Sequence, residues 1–209
     1  MNQYRVTDRL IKFVWLLAIL LLASGYFLLN KPRGSVHVLE TTVDDWIPLI
    51  PAFVFPYVSL YALLAVSLWR FWKADIGAFK LAALAVFIDL ALSYLIYVFF
   101  QTKIERPVLT GSDISAAVLR WVYSIDKPFN AFPSLHTSLS ALCALLWRKA
   151  GSSIWPIILL WAMLIIASTV LVKQHYIVDV FGGVAVAIVS YYGATKLARL
   201  MGRRQQSHD

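Results

Sequence analysis

Near its C-terminus the chain reads Lys173-Gln174-His175-Tyr176-Ile177-Val178-Asp179, between stretches of Val, Ile, Leu, Ala and aromatics. On a helix, residues i and i+4 share a face. Asp179 can therefore hold one ring nitrogen of His175 and leave the other free to attack phosphorus. The carboxylate fixes the tautomer and steadies the cation that forms. The departing alkoxide needs a proton, which a second histidine can supply. His136 stands in Phe132-Pro133-Ser134-Leu135-His136-Thr137, at the expected start of a helix. Phosphoryl oxygens also need cations and donors. Arg106 and Lys173 carry charge. The N–H groups around Ser134–His136 open a helix, whose N-terminus attracts anions. No step requires a metal, although His136, His175 and Asp179 are donors that zinc also accepts. Taken singly, each residue has a plainer reading. An interfacial histidine can be purely structural, Pro133 can simply start a helix, and Gly182-Gly183 can simply permit close helix packing.

The elements that must position these residues are apolar. Of 209 residues, 60% are hydrophobic and 14% charged, and mean hydropathy is +0.72. That excess over a soluble domain points to lipid as the solvent. The length fits one domain spanning 1–209, with the motifs within 101–183. The net charge of +8 is read as Lys and Arg flanking membrane helices rather than a nucleic-acid surface. Cys143 is the single cysteine, so an internal disulfide and a cysteine-rich metal site are excluded. Its apolar surroundings make it a buried small hydrophobe.

The expected fold is all-α: an integral membrane bundle of six transmembrane helices. Spanning stretches of roughly 20 residues are read at Leu10–Leu29, Ile47–Trp72, Ala78–Phe100, Pro133–Trp147, Ile154–Val172 and Tyr176–Leu200. The fourth is short. The first continues past Ala23-Ser24-Gly25 and is read as an uncleaved anchor, not a signal peptide. In the third loop, Gly111-Ser112-Asp113 is expected to cap a short interfacial helix over Ile114–Ser124. Ser207-His208-Asp209 reads as a frayed end.

Charge gives the orientation. Arg5, Arg9 and Lys12 precede the first helix. Arg70, Lys73 and Lys80 fill the second loop, Arg148 and Lys149 the fourth, and Lys196, Arg199, Arg203 and Arg204 the tail. The first and third loops balance base with acid. The positive-inside rule then places both termini in the cytoplasm of a multi-pass cell-membrane protein. Loops one, three and five fall on the opposite face, and with them all three chemical stretches. Asp89, in mid-helix, is read first as a structural partner for another helix's polar group. Asp44 and Asp45 either shape the site's entry or are solvated acids.

In order along the chain, Lys103-Ile104-Glu105-Arg106-Pro107, Pro133-Ser134-Leu135-His136 and Ser168 through His175 to Asp179 resemble the type-2 phosphatidic acid phosphatase superfamily. Its pattern is Lys-x6-Arg-Pro, Pro-Ser-Gly-His and Ser-Arg-x5-His-x3-Asp. Phe99 stands where the pattern has lysine, Leu135 where it has glycine, and Thr169 where it has arginine. Phe-Pro-Ser-Leu-His and Lys-x-His-Tyr-x-x-Asp are more similar to the branch with inositol phosphorylceramide synthases and their bacterial relatives. The resemblance implies that His175 is nucleophile, Asp179 its orienting acid and His136 the general acid. It also implies a phosphate clamp of Arg106 and Ser134, with Lys103 and Lys173 standing in for the missing lysine and arginine.

The reading is a metal-independent membrane lipid phosphatase with no cofactor. It hydrolyses a lipid phosphate monoester or polyprenyl diphosphate drawn from the bilayer through a phosphohistidine, on the extracytoplasmic face. The first alternative is a phosphotransferase with an alcohol acceptor, as in phosphosphingolipid synthesis. The second is a non-enzymatic lipid-binding or transport protein. Neither the lipid nor the oligomeric state is legible.

Overall fold

The computed structural model describes residues 2–206, and side chains from 6 to 201. Ser207, His208 and Asp209 lie outside the described residues, as do the side chains of Arg5, Arg203 and Arg204. Apart from its loops and one pair of two-residue strands, the described chain is helical. It forms α1 (Asn2–Leu29), β1 (His37–Val38), α2 (Thr42–Trp46), a 3-10 turn (Pro51–Phe53), α3 (Val54–Val58) and α4 (Leu60–Lys73). It continues with α5 (Ile76–Phe99), β2 (Thr102–Lys103), α6 (Ile114–Ile125), α7 (Leu135–Lys149), α8 (Trp155–Leu171) and α9 (Ile177–Gln206).

Four stretches are long and apolar enough to cross a membrane: Val6–Leu29, Pro51–Lys73, Ile76–Phe99 and Ile177–Met201. Several long apolar helices fit a membrane protein. Their outward faces carry large apolar side chains, such as Leu20 and Phe27 on α1 and Val189 on α9, the inverse of a water-soluble surface. The count of six is not reached by length. α7 has 15 residues and α8 has 17, and at 1.5 Å per residue α7 rises about 22 Å, short of a bilayer core of about 30 Å. α7 is the central helix, packed against α4, α5, α8 and α9. Leu142, Cys143, Ala144, Leu146 and Trp147 are all buried.

The stretch expected as one helix over Ile47–Trp72 is broken into three pieces. Ile47 and Ile50 are extended, as residues preceding proline tend to be. Pro51 opens the 3-10 turn. At Ser59 the hydroxyl donates to the Pro56 carbonyl and accepts from the Trp161 indole at 2.8 Å. The short helix α6 forms as expected, its N–H at Ala116 capped by Asp113 at 3.1 Å.

Loops one, three and five meet at one end of the bundle. β1 pairs in parallel with β2, and the Ile177 N–H donates to Asp44 Oδ1 at 2.8 Å. The C-terminal end of α1 and Asn30 just after it join them, because Tyr26 and Asn30 both donate to Asp126 Oδ1, at 2.7 and 2.8 Å. At the other end Lys12 Nζ donates to the Trp72 and Ala74 carbonyls.

Candidate active site

At that shared end, α9 begins with Tyr176 as the residue before its first turn. Asp179 Oδ2 accepts the Tyr176 N–H at 2.9 Å, satisfying one of the helix's orphan donors. The same oxygen lies 3.4 Å from His175 Nδ1. That is ion-pair range but long for a hydrogen bond, and neither His175 Nδ1 nor Asp179 Oδ1 has a hydrogen-bond partner. The carboxylate is fully buried.

His136 sits in the first turn of α7. Ser134 caps that turn, its Oγ accepting the Thr137 N–H at 3.3 Å, and its own N–H donates to the Asp179 carbonyl at 3.0 Å. This bond ties the two histidine-bearing segments together. Gly183 makes the approach possible, because a Cβ there would stand 2.6 Å from the Ser134 carbonyl oxygen. The plainer reading of Gly182-Gly183 as a close-packing pair therefore holds. The rings of His136 and His175 lie 6.5 Å apart between centroids. His136 stacks on Tyr57 at 3.9 Å and 16°, and its buried Nε2 has no partner.

Both histidines line a cavity of about 570 Å³ between α1, α4, α5, α6 and α7. Arg106 lines it too. Its guanidinium lies over the Tyr123 ring at 4.6 Å and donates to the Asp126 and Tyr123 carbonyls, while its buried Nε is unpartnered. Burial draws the Arg106 pKa below its ordinary value and the Asp126 carboxylate opposes that shift. A guanidinium stays charged throughout.

Other expected clamp residues are held elsewhere. Lys103 is 40% exposed and pairs with Glu105 at 3.2 Å. Lys173 adopts φ 51 and donates to the Asp44 carbonyl at 2.9 Å. Neither lines the cavity. Ser134 is fully buried as a cap. Asp44 is no solvated acid: it is buried, accepts from Thr41 N–H and Oγ1, and caps α9 through Ile177. Asp45 is exposed. Asp89 accepts from Ser138 Oγ at 2.8 Å, bridging α5 to α7 as a structural partner. Among the described residues no group of three His, Cys, Asp or Glu converges to hold a metal ion.

Tyr57, Tyr123, Asn130 and Gln174 belong to the site's surroundings but carry no motif in the sequence. Only the adjacency of Asn130 and Gln174 to the two histidine stretches pointed towards them.

The sequence pattern of the PAP2 superfamily matches residues 34–193 of the chain. The uncharacterized protein MJ0662 of Methanocaldococcus jannaschii is 36% identical over 110 residues, covering 51% of this chain and 45% of that protein. The chain thus spans less than half the length of that relative. No solved structure matches.

Proposed function

The chain belongs to the PAP2 superfamily, which points to a phosphatase-like or related activity, and from that premise we propose a membrane lipid phosphatase acting through a phosphohistidine. The observation that carries this reading is the pair His175 and His136 facing one cavity, with the Asp179 carboxylate 3.4 Å behind the nucleophile's Nδ1. His175 Nε2 attacks phosphorus and the P–O bond to the lipid alcohol breaks. His136 gives its proton to the leaving oxygen. Water then attacks the phosphohistidine, His136 takes the water's proton, and the P–N bond breaks to release phosphate. Asp179 stabilises the imidazolium-like phosphohistidine, and Arg106 supplies fixed positive charge for the phosphoryl oxygens.

In this proposal α7 and α8 complete six spans, and the site faces the extracytoplasmic side. The lipid enters sideways. α1 packs along α5, and Lys12 ties its inner end to the end of α4, while Leu20 and Tyr61, both exposed, line the cavity from either side. A headgroup can reach the histidines through that flank while its tail stays in lipid.

The test is phosphate release by detergent-purified protein, with EDTA present, over a panel of lipid phosphates and beside His175→Ala. Release lost in the variant supports the reading; release that survives it ends it. Transfer to an alcohol acceptor is the second reading. Phe132-Pro133-Ser134-Leu135-His136, which resembles the synthase branch, favours it. Supplying alcohols and finding a phosphodiester product in place of free phosphate would decide for it.

A further inference from the structure

Charge is scarce around the proposed phosphoryl position. Phe99 and Thr169 occupy the family's lysine and arginine positions. Phe99 is 81% exposed on the lipid-facing surface, and the Thr169 hydroxyl is spent on the Ile166 carbonyl at 2.7 Å. Lys103 and Lys173 are engaged outside the cavity. Lys127 also lines the cavity but is exposed, its Nζ 3.4 Å from the Ser124 carbonyl, so Arg106 is left with that lysine and the neutral donors the walls provide.

Two buried carboxamides line the same cavity. Asn130 is 2% exposed and Gln174 is 3%. Gln174 is the chain neighbour of His175, and both of their N–H groups donate to the Thr169 carbonyl. Neither Nε2 nor Oε1 of Gln174 has a partner. Leaving a buried amide unmatched is costly, so a persistent one marks a place where something else binds.

Asn130 is held in one orientation by a chain of amides. Gln101 Oε1 accepts the Arg33 N–H at 2.8 Å, which fixes its Nε2 as the donor end. That Nε2 donates to the Lys31 carbonyl at 2.8 Å and to Asn130 Oδ1 at 3.1 Å. The Asn130 oxygen is thereby consumed, and its Nδ2 is left buried, unpartnered and donating. Asn130 has φ 58, a left-handed backbone that asparagine tolerates and most side chains do not.

We propose that Asn130 and Gln174 are phosphoryl-oxygen ligands, two neutral amides that complete the clamp around Arg106 in place of the family's missing lysine and arginine. The inference rests on the phosphoryl-transfer reading above. Each amide donates an N–H to a non-bridging oxygen. The free Oε1 of Gln174 then accepts a hydrogen bond from a phosphoryl hydroxyl, the attacking water or an alcohol.

Orthovanadate is the probe, because it adopts the geometry of the transferring phosphoryl group and needs no knowledge of the lipid. Its affinity for the full-length, detergent-purified chain is measured by calorimetry for wild type, Arg106→Leu, Asn130→Asp, Gln174→Glu and Gln174→Leu. Asn130→Asp keeps the acceptor that Gln101 uses and alters only the free end. Both carboxylates should weaken vanadate binding by about tenfold or more, as expected for losing a bond to a charged group and adding repulsion. Gln174→Glu should be worse than Gln174→Leu. A purely structural amide predicts the reverse, with the near-isostere Glu the milder change. Gln174→Leu should also keep or raise the unfolding temperature while weakening binding, because it removes an unmatched buried group. If Arg106→Leu weakens binding and the amide variants do not, the inference fails and the phosphoryl-transfer reading stands. If folded wild type binds no vanadate, both fail. Should a carboxylate variant not fold, Gln174→Leu alone decides through the same two readouts.

Discussion

His136 lies flat on the ring of Tyr57, centroids 3.9 Å apart, and Tyr57 is itself held in an apolar cluster with Val54, Leu119, Val122 and Val172. An aromatic face against an imidazole fixes its plane. In the proposed mechanism Tyr57 is then a positioning residue for the proton donor. The contact has a signature in the leaving group. An alkyl alcohol needs a proton as it departs; an aryl alcohol of low pKa does not. His136→Ala should slow hydrolysis of an alkyl phosphate by roughly 10²–10⁴-fold and of an activated aryl phosphate far less. Tyr57→Leu should reproduce that selectivity at about a tenfold level, and Tyr57→Phe should restore the rate. Equal slowing of both substrates by Tyr57→Leu would reduce Tyr57 to a packing residue.

At the scale of elements, the site depends on how α9 is started and how closely α7 approaches it. Asp44 joins loop one to the N-terminus of α9 through Ile177, while Lys173 crosses back to the Asp44 carbonyl. Asp44→Ala strips the N–H groups of Ile177 and Thr41 of their acceptors. It should lower stability by roughly 2–3 kcal/mol, seen as an earlier thermal transition in detergent. Asp44→Asn should recover part of the loss. Gly183→Ala drives a methyl against the Ser134 carbonyl and must push α7 away from α9. Activity should fall at least about 100-fold, since displacements of about 1 Å at a reacting centre have that effect, while Gly193→Ala, where a Cβ meets only Ile88 Cδ1 at 4.0 Å, should leave activity intact. What the sequence made legible follows the same division. Apolar length gave α5 nearly end to end and the apolar parts of α1 and α9, whose polar ends extend to Asn2 and Gln206, and Asp113 gave the start of α6. Pro48, Pro51 and Pro56 carried the break in the second stretch, but hydropathy averages over it. His136, His175, Asp179 and Arg106 were read from short local motifs, and the fold brings Arg106, His136 and His175 to one cavity. Lys103 and Lys173 were placed in the clamp by charge alone. A loop lysine's direction depends on its backbone and on distant partners, here φ 51 and a carbonyl 129 positions away. Asn130 was hidden for the same reason, since its role depends on Gln101 and on the Lys31 and Arg33 backbone.

For the whole molecule, the distribution of charge and the geometry of the bundle bear on one question, which face the site occupies. The end opposite the cavity gathers Lys12, the α4–α5 turn with Lys73, and the α7 C-terminus with Lys149, whereas the cavity end balances Arg106, Lys103 and Lys127 with Glu105, Asp113 and Asp126. Positive charge flanking apolar spans stays in the cytoplasm. Cys143 is buried, so it contributes little background to thiol labelling and single cysteines can report on each end. Thr110→Cys, in the exposed stretch before α6, should react with a membrane-impermeant maleimide in intact cells. Lys149→Cys, exposed at the far end of α7, should react only after permeabilisation. The opposite pattern would put the histidines in the cytoplasm, where the lipid phosphate would have to come from the inner leaflet. Labelling of both positions in intact cells would mean that the bundle does not separate its two ends across the bilayer. The lateral route between α1 and α4 would then lose its physical basis, because a headgroup needs that flank only if the tail remains in lipid while the histidines face water.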